Sequence, residues 1–109
     1  MSEIKITWAK SYHPSEGWTG EETETTLELV IPSGRSDIDI CEFFYELTNS
    51  GGQVGQNWID QHAPANRTHT ALSVFDGPIV DGEIQKYGDR ISIDGRTYEV
   101  ASIGWKQVA

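Results

Sequence analysis

The chain has 109 residues, with 17 acidic against 8 basic side chains, a formal charge of -9, and four Trp, four Tyr and three Phe among 37% hydrophobic residues. That length suits a single domain, 1–109, that folds without disulfide or metal, and the aromatic content argues against disorder. The acidic balance argues against a protein that grips a phosphate backbone, and the single cysteine, Cys41, cannot close an internal disulfide.

The opening MSEIKITWAK has no basic region followed by an apolar run, and no segment approaches the roughly 20 apolar residues that span a bilayer. The expectation is a chain made and folded in a cytoplasm, with no membrane partner. Over 3–12, Ile4, Ile6 and Trp8 alternate with Lys5 and Thr7, which predicts a half-buried strand with Trp8 in the core. Pro14, Gly17 and Gly20 mark 13–20 as a loop. A second strand is predicted over 23–31, with Glu24 and Glu28 turned outward and Pro32-Ser33-Gly34 ending it.

Residues 36–47 are the one helix candidate. Ser36 can cap the amide of Asp39, Asp37 and Asp39 suit the positive first turn, and Ile40, Phe43, Phe44 and Leu47 form an apolar stripe. The alternation of Ile38 and Ile40 keeps a strand open as the alternative. Cys41, before Glu42-Phe43-Phe44, reads as a core thiol, because nothing nearby in sequence would lower its pKa.

Residues 48–67 are rich in Gly, Gln and Asn and read as a long loop with a short turn near Trp58-Ile59. Such loops are often functional, so this segment is expected to be the most mobile part of the free protein, ordered by a partner. Its Gly51-Gly52-Gln53-Val54-Gly55 run lacks the preceding strand and following Lys of a phosphate loop. The glycosylation-type triplet Asn66-Arg67-Thr68 reads as chance without a secretory route. Strand character resumes over 68–75, and three Asp-Gly pairs, at 76–77, 81–82 and 94–95, read as turns. The resulting fold class is mainly β: a small antiparallel β-barrel or meander with long loops and one short helix at 36–47.

Little in the chain points to catalysis. No pair among His13, His62 and His69 has the short spacing of zinc ligands, and turn chemistry accounts for Asp76, Asp81 and Asp94. No nucleophile elbow or metalloprotease helix motif is present. The expectation is therefore no catalytic residue, no cofactor and no metal. Trp18 and Trp58 fall in predicted loops and, with Gln53, Gln56 and Asn57, are candidate interface residues; the two tryptophans could equally fold back as plugs over the barrel ends. Residues 1–50 carry ten acids and three bases, or -7, and residues 51–109 seven acids and five bases, or -2.

The most legible stretch is GDRISIDGRTYEV, 88–100. Ile91 and Ile93 share one face, Tyr98 and Val100 share a face of the returning strand, and Asp94-Gly95 between them predicts a tight hairpin. With its surroundings, residues 77–105, this hairpin resembles the end of the head-closure, or stopper, proteins of tailed-bacteriophage head-to-tail connectors. The resemblance is carried by Gly88-Asp89-Arg90, Asp94-Gly95, Tyr98-Glu99-Val100 and Gly104; residues 1–75 match only in general order. It implies a structural subunit of a homo-oligomeric ring in the virion neck, assembled in the bacterial cytoplasm below portal and adaptor proteins. Such a ring retains packaged DNA, which passes its channel without specific binding, and docks the tail. The rival from another class is a small acidic inhibitor of a host-defence nuclease, with 21–46 imitating nucleic acid.

Overall fold

A computed structural model describes residues 1–64 and 70–109. The elements in chain order are β1 (Ser2–Trp8), β2 (Ser11–His13), β3 (Gly17–Thr19), β4 (Thr23–Leu29), α1 (Asp37–Ser50), α2 (Gly52–His62), β5 (Val74–Val80), β6 (Glu83–Gly88), β7 (Arg90–Ile93), β8 (Arg96–Val100) and β9 (Trp105–Gln107). Five strands make one antiparallel sheet in the order β4-β1-β7-β8-β9, while β2-β3 and β5-β6 form separate two-stranded ribbons. The fold is mainly β, as expected. The sheet is an open meander with edges at β4 and β9 and does not close into a barrel.

Alternation decides which face of the sheet is wet. Ile4 lies opposite Ile93 and Leu27, Ile6 opposite Ile91, and Ile91 opposite Tyr98. Ile4, Ile6, Trp8, Ile91 and Ile93 are all buried, whereas the other face presents Lys5, Thr7, Glu24, Glu28 and Arg90. A one-sided antiparallel sheet needs a cover, and α1 supplies it through Cys41, Phe44 and Thr48. Burying each large side chain there contributes about 1.5–3 kcal/mol. The Trp8 indole N–H donates to Thr25 Oγ1 at 3.0 Å, and that hydroxyl donates to the His62 carbonyl at 2.9 Å, so the end of α2 is tied to β4 and β1. Thr48 Oγ1 accepts from the Leu72 amide at 3.0 Å, anchoring the return of the chain toward β5.

The helix expected at 36–47 forms and runs three residues further, to Ser50. Its capping box is complete: Ser36 Oγ accepts from the Asp39 amide and the Asp39 carboxylate accepts from the Ser36 amide, each at 3.2 Å. The expected stripe is displaced, however. Phe43 stays 57% exposed, and the buried line runs through Cys41, Phe44 and Thr48, with Ile40 and Leu47 at its margins.

The long loop expected over 48–67 is overturned. Its greater part is helical, first as the end of α1 and then as α2, so the expected mobile loop gives way to a packed helical hairpin. Residues 65–69, which include the Asn66 triplet and His69, lie outside the described residues. Composition misled here because the glycines permit close approach. Gly55 is buried where a Cβ would sit 2.1 Å from the Leu47 carbonyl oxygen, so only glycine lets α2 pass α1 at this point. On the solvent side, Gln53 donates to Asn57 at 2.9 Å and Gln56 to Asp60 at 2.8 Å, pairs one helical turn apart that support the helix.

Smaller corrections follow the same logic. The strand expected over 3–12 stops at Trp8, because the Ala9 amide is taken by the Asp89 carboxylate at 2.7 Å. The loop expected over 13–20 includes β3. In the strand expected over 68–75, Thr70–Ser73 are not extended ladder residues and β5 begins at Val74, while 68–69 lie outside the described residues. Asp76-Gly77 is not a turn but lies inside β5 beside a bulge. The other two Asp-Gly pairs are turns: Asp81 and Gly82 have φ of 52° and 80°, and Asp94 and Gly95 have 48° and 89°. Positive φ at both central residues matches the twist of a two-residue hairpin and costs glycine little.

Two substitutions test this account. Gly95→Val, at a positive-φ turn, should lower stability by about 1–3 kcal/mol, measured by thermal or urea melting. Gly55→Ala should destabilise by about 1–3 kcal/mol or more, because a methyl group cannot share space with a backbone carbonyl; an unchanged melt would show that the helices can separate there at no cost.

Candidate interaction surface

The best-connected cluster of ionisable groups joins helix to sheet. Arg96 Nε and Nη2 donate to the two Asp37 oxygens at 2.6 and 3.0 Å, and the Tyr98 hydroxyl donates to Asp37 Oδ2 at 2.6 Å. The Arg96 bond, then the Tyr98 bond, hold the Asp37 carboxyl below its usual 3.8. The same carboxylate holds the Tyr98 phenol above its usual 10.0, so this hydroxyl serves as a donor and not as a base. The cluster clamps the start of α1 to the β7–β8 hairpin. One turn on, burial pushes the Cys41 thiol up to about 12, with Asp37 and Glu42 adding to the effect. It is the expected core thiol, un-ionised at neutral pH.

The turn residues reach further than a turn requires. Asp94 Oδ1 accepts from the Glu3 amide at 2.8 Å and the Asp94 amide donates to the Glu3 carbonyl at 3.0 Å, fastening the hairpin tip to the start of β1. Asp89, in the Gly88-Asp89-Arg90 step, is fully buried and accepts from the amides of Ala9 and Ser73 at 2.7 and 3.0 Å. Arg90 and Lys106 pair with the buried Glu99 at 2.9 and 3.4 Å. His13 is exposed on β2, and His62 lies beside Trp58 with ring centres 4.9 Å apart. Among the described residues, no group of three or more His, Cys, Asp or Glu is placed to hold a metal ion.

The interface residues expected from sequence do not converge. Trp18, 44% exposed, sits between Tyr12 and Tyr87 with ring centres 5.2 and 4.9 Å away and with Lys10 Nζ 5.0 Å over its ring. It joins the β2-β3 ribbon to the base of the β5-β6 ribbon. Trp58 packs against the core, 5.7 Å from the Phe44 ring centre. Gln53, Gln56 and Asn57 are exposed on α2 but pair along their own helix. Both tryptophans are thus occupied within the chain.

Two other surfaces stand out. The first is a groove of about 570 Å³ between α1 and the end of β4. Leu29, Val30, Ile31, Ile40, Phe43 and Phe44 make its apolar lining, and Val30 is 78% exposed. The second is the tip of the β5-β6 ribbon, where Ile79 (69% exposed), Val80 and Ile84 flank the Asp81-Gly82 turn. Strand register sets these surfaces at opposite ends of the sheet. Leu29 pairs with Ser2, beside the Asp94-Gly95 tip, whereas the ribbon leaves from Gly88, next to the Thr7–Arg90 pair. Seven extended residues carry the ribbon about 20 Å, and the molecule measures 44 × 27 × 22 Å. The sequence held a signal for each surface: an unbroken Leu29-Val30-Ile31 run past the alternating part of β4, and aliphatic residues on both sides of a turn.

No helix among the described residues is long and apolar enough to cross a membrane. Comparison with protein-family models, with curated proteins and with solved structures finds no match for this chain.

The Asp37 clamp has a definite pH signature. A carboxyl whose folded pKa is depressed adds stability above its unfolded value, and that stability is lost as pH falls through the folded value. Asp37→Asn should therefore lower the melting temperature at neutral pH, and the gap from the parent protein should shrink as the pH is taken below the ordinary carboxyl value of 3.8. A gap that stays constant across that range would remove the carboxylate from the account.

Proposed function

We propose that this protein is a non-catalytic assembly subunit, a head-closure component of a tailed-bacteriophage head-to-tail connector. The observation that carries this reading is the pair of unlike apolar surfaces, a groove at one end of the main sheet and the tip of a ribbon that leaves from the sheet's other end. A bridging protein needs two different patches facing two different neighbours, and contiguous exposed apolar groups mark such contacts. The resemblance of residues 77–105 to head-closure proteins supplies the setting. In it, portal-associated adaptors hold the subunits close enough for a small contact to suffice, and the free chain stays monomeric. The charge of -9 lets a subunit line a DNA channel without adhering to the DNA.

A second reading draws on the exposed Glu21, Glu22, Glu24 and Glu28 along and just before β4: a small acidic inhibitor of a host-defence nuclease. One experiment separates the two. Disruption of the gene in a phage that encodes it, followed by electron microscopy, should give free tails and heads that have lost DNA. Intact joined particles that fail only on defended hosts would overturn the connector reading and establish the inhibitor.

A further inference from the structure

We propose that the groove between α1 and the end of β4 docks an extended segment of a partner protein whose apolar side chains are flanked by Lys or Arg. This rests on the reading of the chain as an assembly subunit and names the chemistry of one of its partners.

Three observations converge on that occupant. The groove is apolar where it is deep, with Phe44 at its base and Val30 and Phe43 open to solvent, so it offers burial to an incoming apolar side chain. It also adjoins a sheet edge. Strand β4 is the last of its sheet, and among the described residues its ladder partner is β1 alone, with no described strand on its outer edge. Finally, its charged lining is acidic: among the described residues Asp39, Glu42 and Glu46 stand against Arg35.

Charge also decides against the second copy of this chain. Among the described residues two hairpin tips expose aliphatic side chains: that of β8-β9 offers Ile103 alone, too little to fill the groove, whereas that of β5-β6 carries Asp81 and Glu83 beside Ile79, Val80 and Ile84. Insertion would press those carboxylates against the acidic rim. Self-pairing of two β4 edges would bring Glu24 and Glu28 against their own copies. Like charges brought directly opposite are destabilising in a sheet and at an interface. A basic flank reverses both penalties, speeds encounter, and leaves the apolar contact to hold the complex.

The test uses the purified full chain and two fluorescein-labelled synthetic peptides of about nine residues, a strand's length. One alternates Lys and Arg with Val, Leu and Phe; its twin carries Glu in place of each basic residue. Anisotropy should show saturable binding of the basic peptide, weaker at high salt, and none of the acidic twin. Phe43→Asp and the double variant Glu42→Lys/Glu46→Lys should each weaken binding by about tenfold or more. The change at the ribbon tip, Ile79→Asp, should leave it unchanged. Phe43 and Glu46 are exposed and Glu42 is half-buried, so circular dichroism and melting are measured alongside, and Glu46→Lys alone, at an exposed site, serves where the double variant melts lower than the parent. Absence of basic-peptide binding, equal binding of both peptides, or binding indifferent to the groove variants would overturn the docking proposal. Loss of binding together with separated heads and tails on gene disruption would leave the assembly reading standing. Groove-dependent binding together with intact joined particles would uphold the site and remove the connector setting.

Discussion

A single buried carboxylate decides how this chain is laid out. Asp89 sits at the junction between the β5-β6 ribbon and the main sheet and is completely removed from solvent. Its two oxygens accept the amides of Ala9 and Ser73, its own amide donates to the Ser73 carbonyl, and its carbonyl accepts from Val100. Four segments therefore meet at one residue. Buried amides left without acceptors cost about 1–3 kcal/mol each, and bonds to a carboxylate are among the stronger ones. The consequences spread outward. β1 stops at Trp8 because its next amide is already used, the ribbon departs from the sheet at a fixed place, and β7 enters in register beside β1.

With the sheet so aligned, its apolar face needs a cover, and the helical hairpin provides one at little cost in chain length. The hairpin is unusual in composition. α2 has few apolar residues, and its hold on the core comes from Ile59, from the edge of Trp58 and from the His62 carbonyl that receives Thr25. What makes so polar a helix sufficient is proximity. Gly51 and Gly55 let the Leu47 turn of α1 approach almost to backbone contact, so modest side chains bury well. Clamps at both ends finish the arrangement, the Asp37–Arg96–Tyr98 group at the start of α1 and Thr48 and Asn49 holding Leu72 at its end.

How much of this was legible in the sequence varied with the range of the interaction. The β7–β8 hairpin, the alternation of β1, the outward Glu24 and Glu28 and the Ser36 capping box are local patterns, and they could be read directly. α2 was missed because its glycines look like loop residues until α1 and α2 fold back on each other and bring the Leu47 carbonyl against Gly55, a close approach that periodicity does not reveal. Asp76-Gly77 failed as a turn because the same dipeptide can be absorbed by a bulge, where Asp76 pairs with Lys86 across the ribbon. For the surface, aromatic content drew attention to Trp18 and Trp58; Trp58 packs on the core beside Phe44, while Trp18 stacks between two tyrosines and keeps 44% of its surface exposed. The exposed apolar surfaces combine Phe43 on α1 with aliphatic residues at strand ends, and the placing of the latter is visible only once register is known.

That distribution gives the charge a purpose beyond solubility. An open sheet edge next to an apolar groove invites aggregation, and glutamates along such an edge are a common defence. Here the defence is directional. Carboxylates on β4 and around the groove disfavour pairing of this edge with its own copy, while on the proposed reading they favour a cationic partner where apolar burial and edge pairing coincide. The ribbon tip at the far end is apolar and also acidic, so the two ends of one molecule cannot satisfy each other. If the chain is the assembly subunit proposed above, this arrangement would keep it free in solution until different neighbours meet it at each end. That is the behaviour required of a component added last to a preformed assembly.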